Sequence, residues 1–291
     1  MEEKRAIDLY GAAALVGFAA LLAFNQVVIK VTSDGFSPVF QAALRSVIAS
    51  LFLFCWLGVT GKRVSLPRAA LPWGIVSGLL FAFEFLCLFI ALDLTTVARA
   101  SIIFYTMPVW LAIAANFLLP GEKLRAVHVL GMAFAIGGVV LALSDRSNGE
   151  ASLAGDILAL VGTFGWAGIA LVVRATPLQT VAPEGQLLFQ TVVSAPILLI
   201  AAPFFGPLIR DLGPVHWAGL LFGAIAVVGI AYLFWFGLLK IYRASSVASF
   251  SFLSPVLAVF FGWALLGEHI GPAVLVALAL VALGITLINR K

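Results

Sequence analysis

The feature that most constrains this chain is a series of uninterrupted apolar runs, each roughly 20 residues long, separated by short stretches of Gly, Pro and charge. A helix rising about 1.5 Å per residue crosses the hydrocarbon of a bilayer in a run of that length. A soluble core helix would interrupt its apolar residues with polar ones at helical spacing. Composition agrees: 63% of the 291 residues are hydrophobic and 10% are Asp, Glu, Lys or Arg, where a soluble domain carries about a quarter charged residues. Too little charge remains to coat a water-facing surface, so a soluble globule is excluded and an all-α membrane protein is expected.

With Gly, Pro and charge clusters as punctuation, ten spans are expected, near 9–31, 38–59, 71–92, 96–118, 124–143, 153–173, 184–205, 216–239, 244–266 and 271–289. The first run is longer than the roughly 7 to 15 residues of a signal-peptide core, which makes it an uncleaved span. An even number of spans places both termini on one side. That side collects twelve bases, Lys4, Arg5, Lys62, Arg63, Arg68, Lys123, Arg125, Arg174, Lys240, Arg243, Arg290 and Lys291. The other collects four, Lys30, Arg99, Arg146 and Arg210, with Arg45 inside a span. The positive-inside rule then puts both termini in the cytoplasm of a cell whose inner (plasma) membrane holds the chain. No basic run exceeds two residues, so the net charge of +4 reads as topology signal and no nucleic-acid partner is expected. Cys55 and Cys87 lie within apolar segments and are expected as free thiols.

Sliding the chain against itself by 144 to 147 residues gives a weak match that recurs in order. Leu9, Gly11, Lys30 and Thr32 fall on Leu153, Gly155, Arg174 and Thr176; Pro38 and Gln41 fall on Pro183 and Gln186. Met107-Pro108-Val109 falls on Ser254-Pro255-Val256, Gly121-Glu122 on Gly267-Glu268, and Gly138 on Gly284. The repeat predicts two copies, 1–145 and 153–291, joined by a loop at 146–152. Each copy has five spans, an odd number, so the second must enter the membrane from the opposite side. Inverted repeats of this kind support two nearly equal arrangements around one central site, which is the basis of alternating access.

The paired segments Ala91 to Pro108 with Gly121-Glu122, and Leu239 to Pro255 with Gly267-Glu268, resemble the ten-helix members of the drug/metabolite transporter superfamily. Within it the aromatic-rich spans are most similar to the bacterial aromatic amino acid exporters. The resemblance covers essentially the whole chain and implies export of small metabolites through a central cavity, with the fifth and tenth spans at the periphery. The first copy departs from the family pattern in having Met107-Pro108 where the second keeps Ser254-Pro255.

Ionisable residues within spans are costly and normally face protein or water. Glu84 is the acid deep inside an apolar run and Arg45 the deep base. Counted from the ends of their spans, both sit about 10 to 12 Å deep, a depth that allows an ion pair. One reading has Glu84 take a substrate ammonium or a proton, with Arg45 holding it ionised; the other has the two lock the second span to the third. Phe81, Glu84, Phe85 and Leu88 share a helical face, and the repeat maps that face onto Val228, Ala231, Tyr232 and Trp235. With Trp166 and Tyr105 these residues are expected to wall an aromatic substrate pocket; the competing reading is packing or lipid contact, which suits the Phe rings better than Trp166, Tyr232 and Trp235 with their polar N–H or O–H groups. Asn25, Gln26 and Gln41 are candidates for a substrate carboxylate or for interhelical hydrogen bonding. Pro108 and Pro255 each free a backbone carbonyl, of Phe104 and Ser251, and mark a hinge or a fixed kink. Gly131 and Ala135 permit close helix contact within a monomer or across a homodimer.

Gly58-Val-Thr-Gly61-Lys62 lacks the spacing and following Ser or Thr of a phosphate-binding loop. No catalytic pattern of nucleophile and base, paired acids or His-Glu-x-x-His is present, and His128, His216 and His269 have no partner at metal spacing. The chain is therefore expected to be no enzyme and to need no cofactor. Its expected partners are a small-molecule substrate, the lipid bilayer and, for coupling, protons.

Overall fold

In hydrocarbon each backbone N–H and C=O must find its partner within its own segment, which favours helices. A computed structural model of the chain describes residues 8–119, 123–144, 152–242, 250 and 252–289. These are helical, and apart from an isolated bridge between Phe36 and Ile209 they contain no strand. In order, the helices are α1 (Leu9–Ser33), α2 (Pro38–Thr60), α3 (Leu71–Leu94), α4 (Val97–Phe104), α5 (Met107–Leu118), α6 (Ala126–Ser144), α7 (Leu153–Ala175) and α8 (Pro183–Ala201). There follow α9 (Pro214–Leu221), a π-helical stretch (Phe222–Ala231), α10 (Tyr232–Ile241), α11 (Leu253–Leu266) and α12 (Pro272–Ile288). With α4–α5 and α9–α10 taken as continuous rods, eight of the described segments are long and apolar enough to cross a membrane, and α11 and α12 are shorter apolar helices. The loop expected at 146–152 lies outside the described residues except for Ser152, as do Lys4, Arg5, Gly121, Glu122, Arg146, Arg243, Ser251, Arg290 and Lys291.

Local chemistry sets the helix ends. Asp8 caps α1 by accepting from the Gly11 N–H, and Ser152 caps α7 by accepting from the Gly155 N–H; such a cap contributes about 1 kcal/mol. Proline opens α2, α8, α9 and α12, where its missing N–H has no intrahelical partner to lose. Gly61 and Gly267 end α2 and α11 in the left-handed conformation at φ 64° and 67°.

The helices pack in a limited set of partnerships. One group joins α3, α4, α5 and α7; another joins α1, α9, the π-helical stretch and α11. Between them α2 packs on α8, α4 on α11, and α6 on α12. The last pair is the closest: a Cβ at Gly284 would lie 2.5 Å from the Gly131 carbonyl oxygen, and one at Gly131 would lie 2.8 Å from that of Gly284. The small residues near Gly131 therefore serve contact within the chain.

Two features of the spans depart from a straight α-helix. The fourth span breaks at Tyr105 and Thr106 into α4 and α5, just past the Phe104 carbonyl that Pro108 was expected to free, and Pro108 sits in the first turn of α5. Pro255 likewise lies in the first turn of α11. A proline there breaks no intrahelical hydrogen bond, and the Ser251 carbonyl it was expected to free falls outside the described residues. The eighth span is not uniformly α-helical, because ten of its residues, Phe222 to Ala231, form i to i+5 hydrogen bonds.

Candidate functional site

A cavity of about 470 Å³ opens between the two helix groups. It runs from Glu84 on α3, past Trp166 on α7 and Tyr105 at the α4–α5 break, to Arg174, Gln186 and Asn289. These last residues lie at the end of the bundle that carries most of the bases, where Lys62 of α2 pairs with Glu184 of α8 at 3.0 Å. Aromatic rings form much of the wall. Trp166 stacks on Phe104 with centroids 5.1 Å apart and meets Tyr105 edge-on at 5.9 Å; Trp235 stacks on Phe18 at 4.7 Å. Such a site can hold an apolar or aromatic body against rings while a single carboxylate takes a positive group.

Of the residues expected at the site, Phe81, Glu84, Tyr105, Trp166, Tyr232, Trp235 and Pro108 line this cavity. Phe85, Asn25, Gln41, Arg45 and Pro255 do not. Glu84 is brought close to α7 by Gly165, against whose missing side chain it packs. Arg45 and Glu84 make no ion pair, contrary to the pairing that equal depth allowed. The Arg45 guanidinium instead lies over Phe85 at 3.8 Å and Phe89 at 4.7 Å, with Nη2 buried and unpartnered. Depth along a helix axis fixes level and leaves azimuth open, and Phe85 occupies the face turned toward Arg45. Gln41 donates to the Ile29 carbonyl at 3.3 Å and so ties α2 to α1. Asn25 is buried away from the cavity with Oδ1 unpartnered.

The shared face predicted on the eighth span is split as well. Tyr232 and Trp235 face the cavity, while Val228 packs with Ala49, Leu53 and Leu187. A π-helical turn advances by a different angle per residue from an α-helical one, so i, i+3, i+4 and i+7 no longer align across it. Sequence reasoning missed the wall supplied by α1, Leu15, Phe18, Ala19 and Leu22. Two signals were present: these four residues have the same helical spacing, and Leu22 is the repeat counterpart of Trp166. It also missed Arg174 and Gln186 at the mouth.

The opposite end of the bundle is closed around the elbow between α3 and α4. Lys30 of α1 donates to the carbonyls of Leu92 at 2.9 Å and Thr95 at 2.7 Å. Arg210 grips Asp93 with two hydrogen bonds, 2.6 and 2.9 Å, and donates to the Ser33 carbonyl; the Asp93 bond raises the Arg210 pKa above its ordinary value. Deeper in the elbow, Arg99 pairs with Asp156 at 2.7 Å, both essentially inaccessible, and also donates to the Ala142 carbonyl. Thr95 donates to Asp156, and Glu268 accepts from the Val97 and Ala98 N–H groups at the start of α4. The cavity is thus blocked at one end by polar bonds and open at the other.

A family model, that of the EamA-like transporter family, matches residues 9–144 and again residues 153–290. The chain belongs to the EamA-like transporter family. It is accordingly a multi-pass membrane protein of a transporter family, within the drug/metabolite transporter superfamily. Among curated relatives of this EamA-like chain, it is 23% identical to the uncharacterized transporter YoaV of Bacillus subtilis, over 93% of this chain and 94% of that one. It is 27% identical to the aromatic amino acid exporter YddG of Ancylobacter novellus, over 84% and 86%. It is 24% identical to the uncharacterized inner membrane transporter YedA of Escherichia coli K12, over 99% and 93%. A solved crystal structure shares the fold at a TM-score of 0.68 and 24% identity, covering 95% of this chain and 97% of that one.

Proposed function

We propose that this EamA-like protein is a ten-span secondary carrier that exports small amphipathic metabolites by alternating access. Aromatic or other neutral amino acids head the candidate substrates. The observation that carries the reading is the aromatic-walled cavity with Glu84 at its floor, the one acid among its described lining residues. An ammonium group would meet that carboxylate while the side chain stacks on Trp166 or Trp235. The similarity to an aromatic amino acid exporter supports the same substrate class. The twelve-base end is the cytoplasmic one by the positive-inside rule, so the conformation described is open for loading from inside the cell. Similarity to an inner membrane transporter supports that location.

Two inverted five-span copies provide the second arrangement that export requires. Four features support this architecture: the same family model matches each half; Asp8–Gly11 and Ser152–Gly155 cap α1 and α7 alike; the Thr95 N–H donates to Ala91 as the Tyr242 N–H does to Leu238; and α2–α8 and α6–α12 each pair an element with its repeat counterpart.

Flux in proteoliposomes, screened by competition with amino acids, nucleosides and sugars, tests the substrate class. Aromatic amino acids should compete best, and a screen won by sugars or nucleosides would overturn the assignment. Imposed pH gradients test coupling: one charge moved through the membrane potential is worth about 2.3 kcal/mol per 100 mV. Flux that ignores the gradient and is unchanged in Glu84→Gln would remove Glu84 from both binding and coupling.

A further inference from the structure

The polar bonds at the closed end have counterparts at the open one. Lys30 lies twenty-two residues beyond the cap of α1 at Asp8, and Arg174 lies twenty-two beyond the cap of α7 at Ser152. Lys30 reaches the carbonyls of Leu92, in the last turn of α3, and Thr95, its C-cap. In the register set by the Thr95–Ala91 and Tyr242–Leu238 backbone bonds, the matching carbonyls at the end of α10 are those of Leu239 and Tyr242. Carbonyls at a helix C-terminus carry partial negative charge and lack intrahelical donors, so they suit a Lys or Arg cation. Arg174 on α7 and Trp235 on α10 both line the mouth of the cavity.

We infer that Lys30 and Arg174 are reciprocal latches. Lys30 holds the non-cytoplasmic end shut in the conformation described. Arg174 holds the cytoplasmic end shut in the other, by donating to the Leu239 and Tyr242 carbonyls. Each latch joins the group containing α1, α9 and α11 to the group containing α3, α4, α5 and α7. Each group also has a bond of its own that need not break: Thr95 donates to Asp156 between α3 and α7, and Tyr242 donates to Asp8 between α10 and α1. Gly155 and Gly11 allow those two contacts, since a Cβ on either would come within 3.0 Å of the facing residue, Leu94 and Thr95 for Gly155 and Tyr242 for Gly11. The exchange therefore breaks one cation–carbonyl clasp, with the Arg210–Asp93 pair beside it, and forms its mirror at the other end. This inference rests on the inverted-repeat reading proposed above.

Distances between spin labels in lipid nanodiscs test it, with Cys55 and Cys87 replaced by Ser and Ala. Labels at Asp34 and Leu94 report the non-cytoplasmic mouth, and labels at Ala175 and Ile241 the cytoplasmic one. Lys30→Gln should raise the ratio of open to closed non-cytoplasmic mouths about 10-fold, the scale of losing a charged hydrogen bond, and shorten the cytoplasmic distance in parallel. Arg174→Gln added to Lys30→Gln should reverse that shift. Lys30→Arg and Arg174→Lys should retain wild-type ratios. Distances that exchange in the wild type but shift less than about twofold in these variants would overturn the latches and leave alternating access standing. Distances that never move oppositely in any variant would overturn the alternating-access reading itself. Should Lys30→Gln not fold, Arg174→Gln alone should lower the wild-type ratio, and an unchanged ratio overturns the proposal.

Discussion

Gly165 of α7 stands directly against Glu84 of α3: a Cβ at position 165 would lie 3.0 Å from the Glu84 Cβ and 3.1 Å from its Cα. The floor of the cavity is therefore set by a helix contact that only glycine allows. Gly165→Ala should force α3 and α7 apart and destabilise the protein by about 1–3 kcal/mol, the usual cost of overpacking. Thermal unfolding in detergent reads the stability and proteoliposome flux the displaced carboxylate. Wild-type values for both would mean that the two helices separate without cost.

Arg45 makes no ion pair with Glu84, so its removal should not strand a buried charge. Arg45→Met, which keeps a long apolar side chain over Phe85 and Phe89, is expected to change stability by less than about 1.5 kcal/mol. A loss of about 3–5 kcal/mol, typical of breaking a buried pair, would reveal a Glu84 partnership in a state other than the one described. Equilibrium unfolding of the two proteins decides between these.

Trp166→Ala removes a ring stacked on Phe104, and Trp235→Ala one stacked on Phe18. An aromatic substrate held against these rings should bind about 10-fold more weakly in either variant, from ring contact and lost area together. Competition against flux, with an aliphatic amino acid as control, separates a stacking role from general damage. If both substrates weaken alike, the rings serve packing alone.

The Arg99–Asp156 and Lys62–Glu184 pairs make a contrast that depends only on burial. Asp156→Asn leaves a sequestered guanidinium without its charge partner and should cost about 3–5 kcal/mol, seen as loss of monodisperse protein on size exclusion. Lys62 is 53% exposed in its pair, and Lys62→Ala should cost less than about 1 kcal/mol.

Gly284 meets the Gly131 carbonyl at a contact remote from Glu84, so Gly284→Val should lower thermal stability while leaving relative substrate preference unchanged. Altered preference in a folded variant would show that the α6–α12 contact shapes the cavity.

Much of the helical layout was legible because its signals are local. Pro38 and Pro183 open α2 and α8 where punctuation put them, and α1 begins at Leu9 behind the Asp8 cap. The π-helical stretch was not legible, because it is a choice among hydrogen-bond partners of nearly equal quality that packing against neighbouring helices makes, whereas the break at Tyr105–Thr106 lies where Pro108 withholds a donor from the Phe104 carbonyl. The same limit applies to the candidate site. Periodicity placed Glu84 and Phe85 on one face, but that face is wide enough for Glu84 to meet the cavity while Phe85 turns to Arg45.

The sequence by itself determined that the chain lives in lipid, where many of its helices start, and which few charges had to be kept inside. Those outcomes follow from one-dimensional quantities: run length, the missing N–H of proline, and the cost of desolvating a charge. Only the tertiary structure decided which charges meet. Arg45 went to Phe85 and Phe89, Arg99 to Asp156, Lys30 to the carbonyls of Leu92 and Thr95, because partnership depends on the rotation and crossing of helices. Those are set by small contacts, such as Gly165 against Glu84, whose meaning appears once both helices are in place.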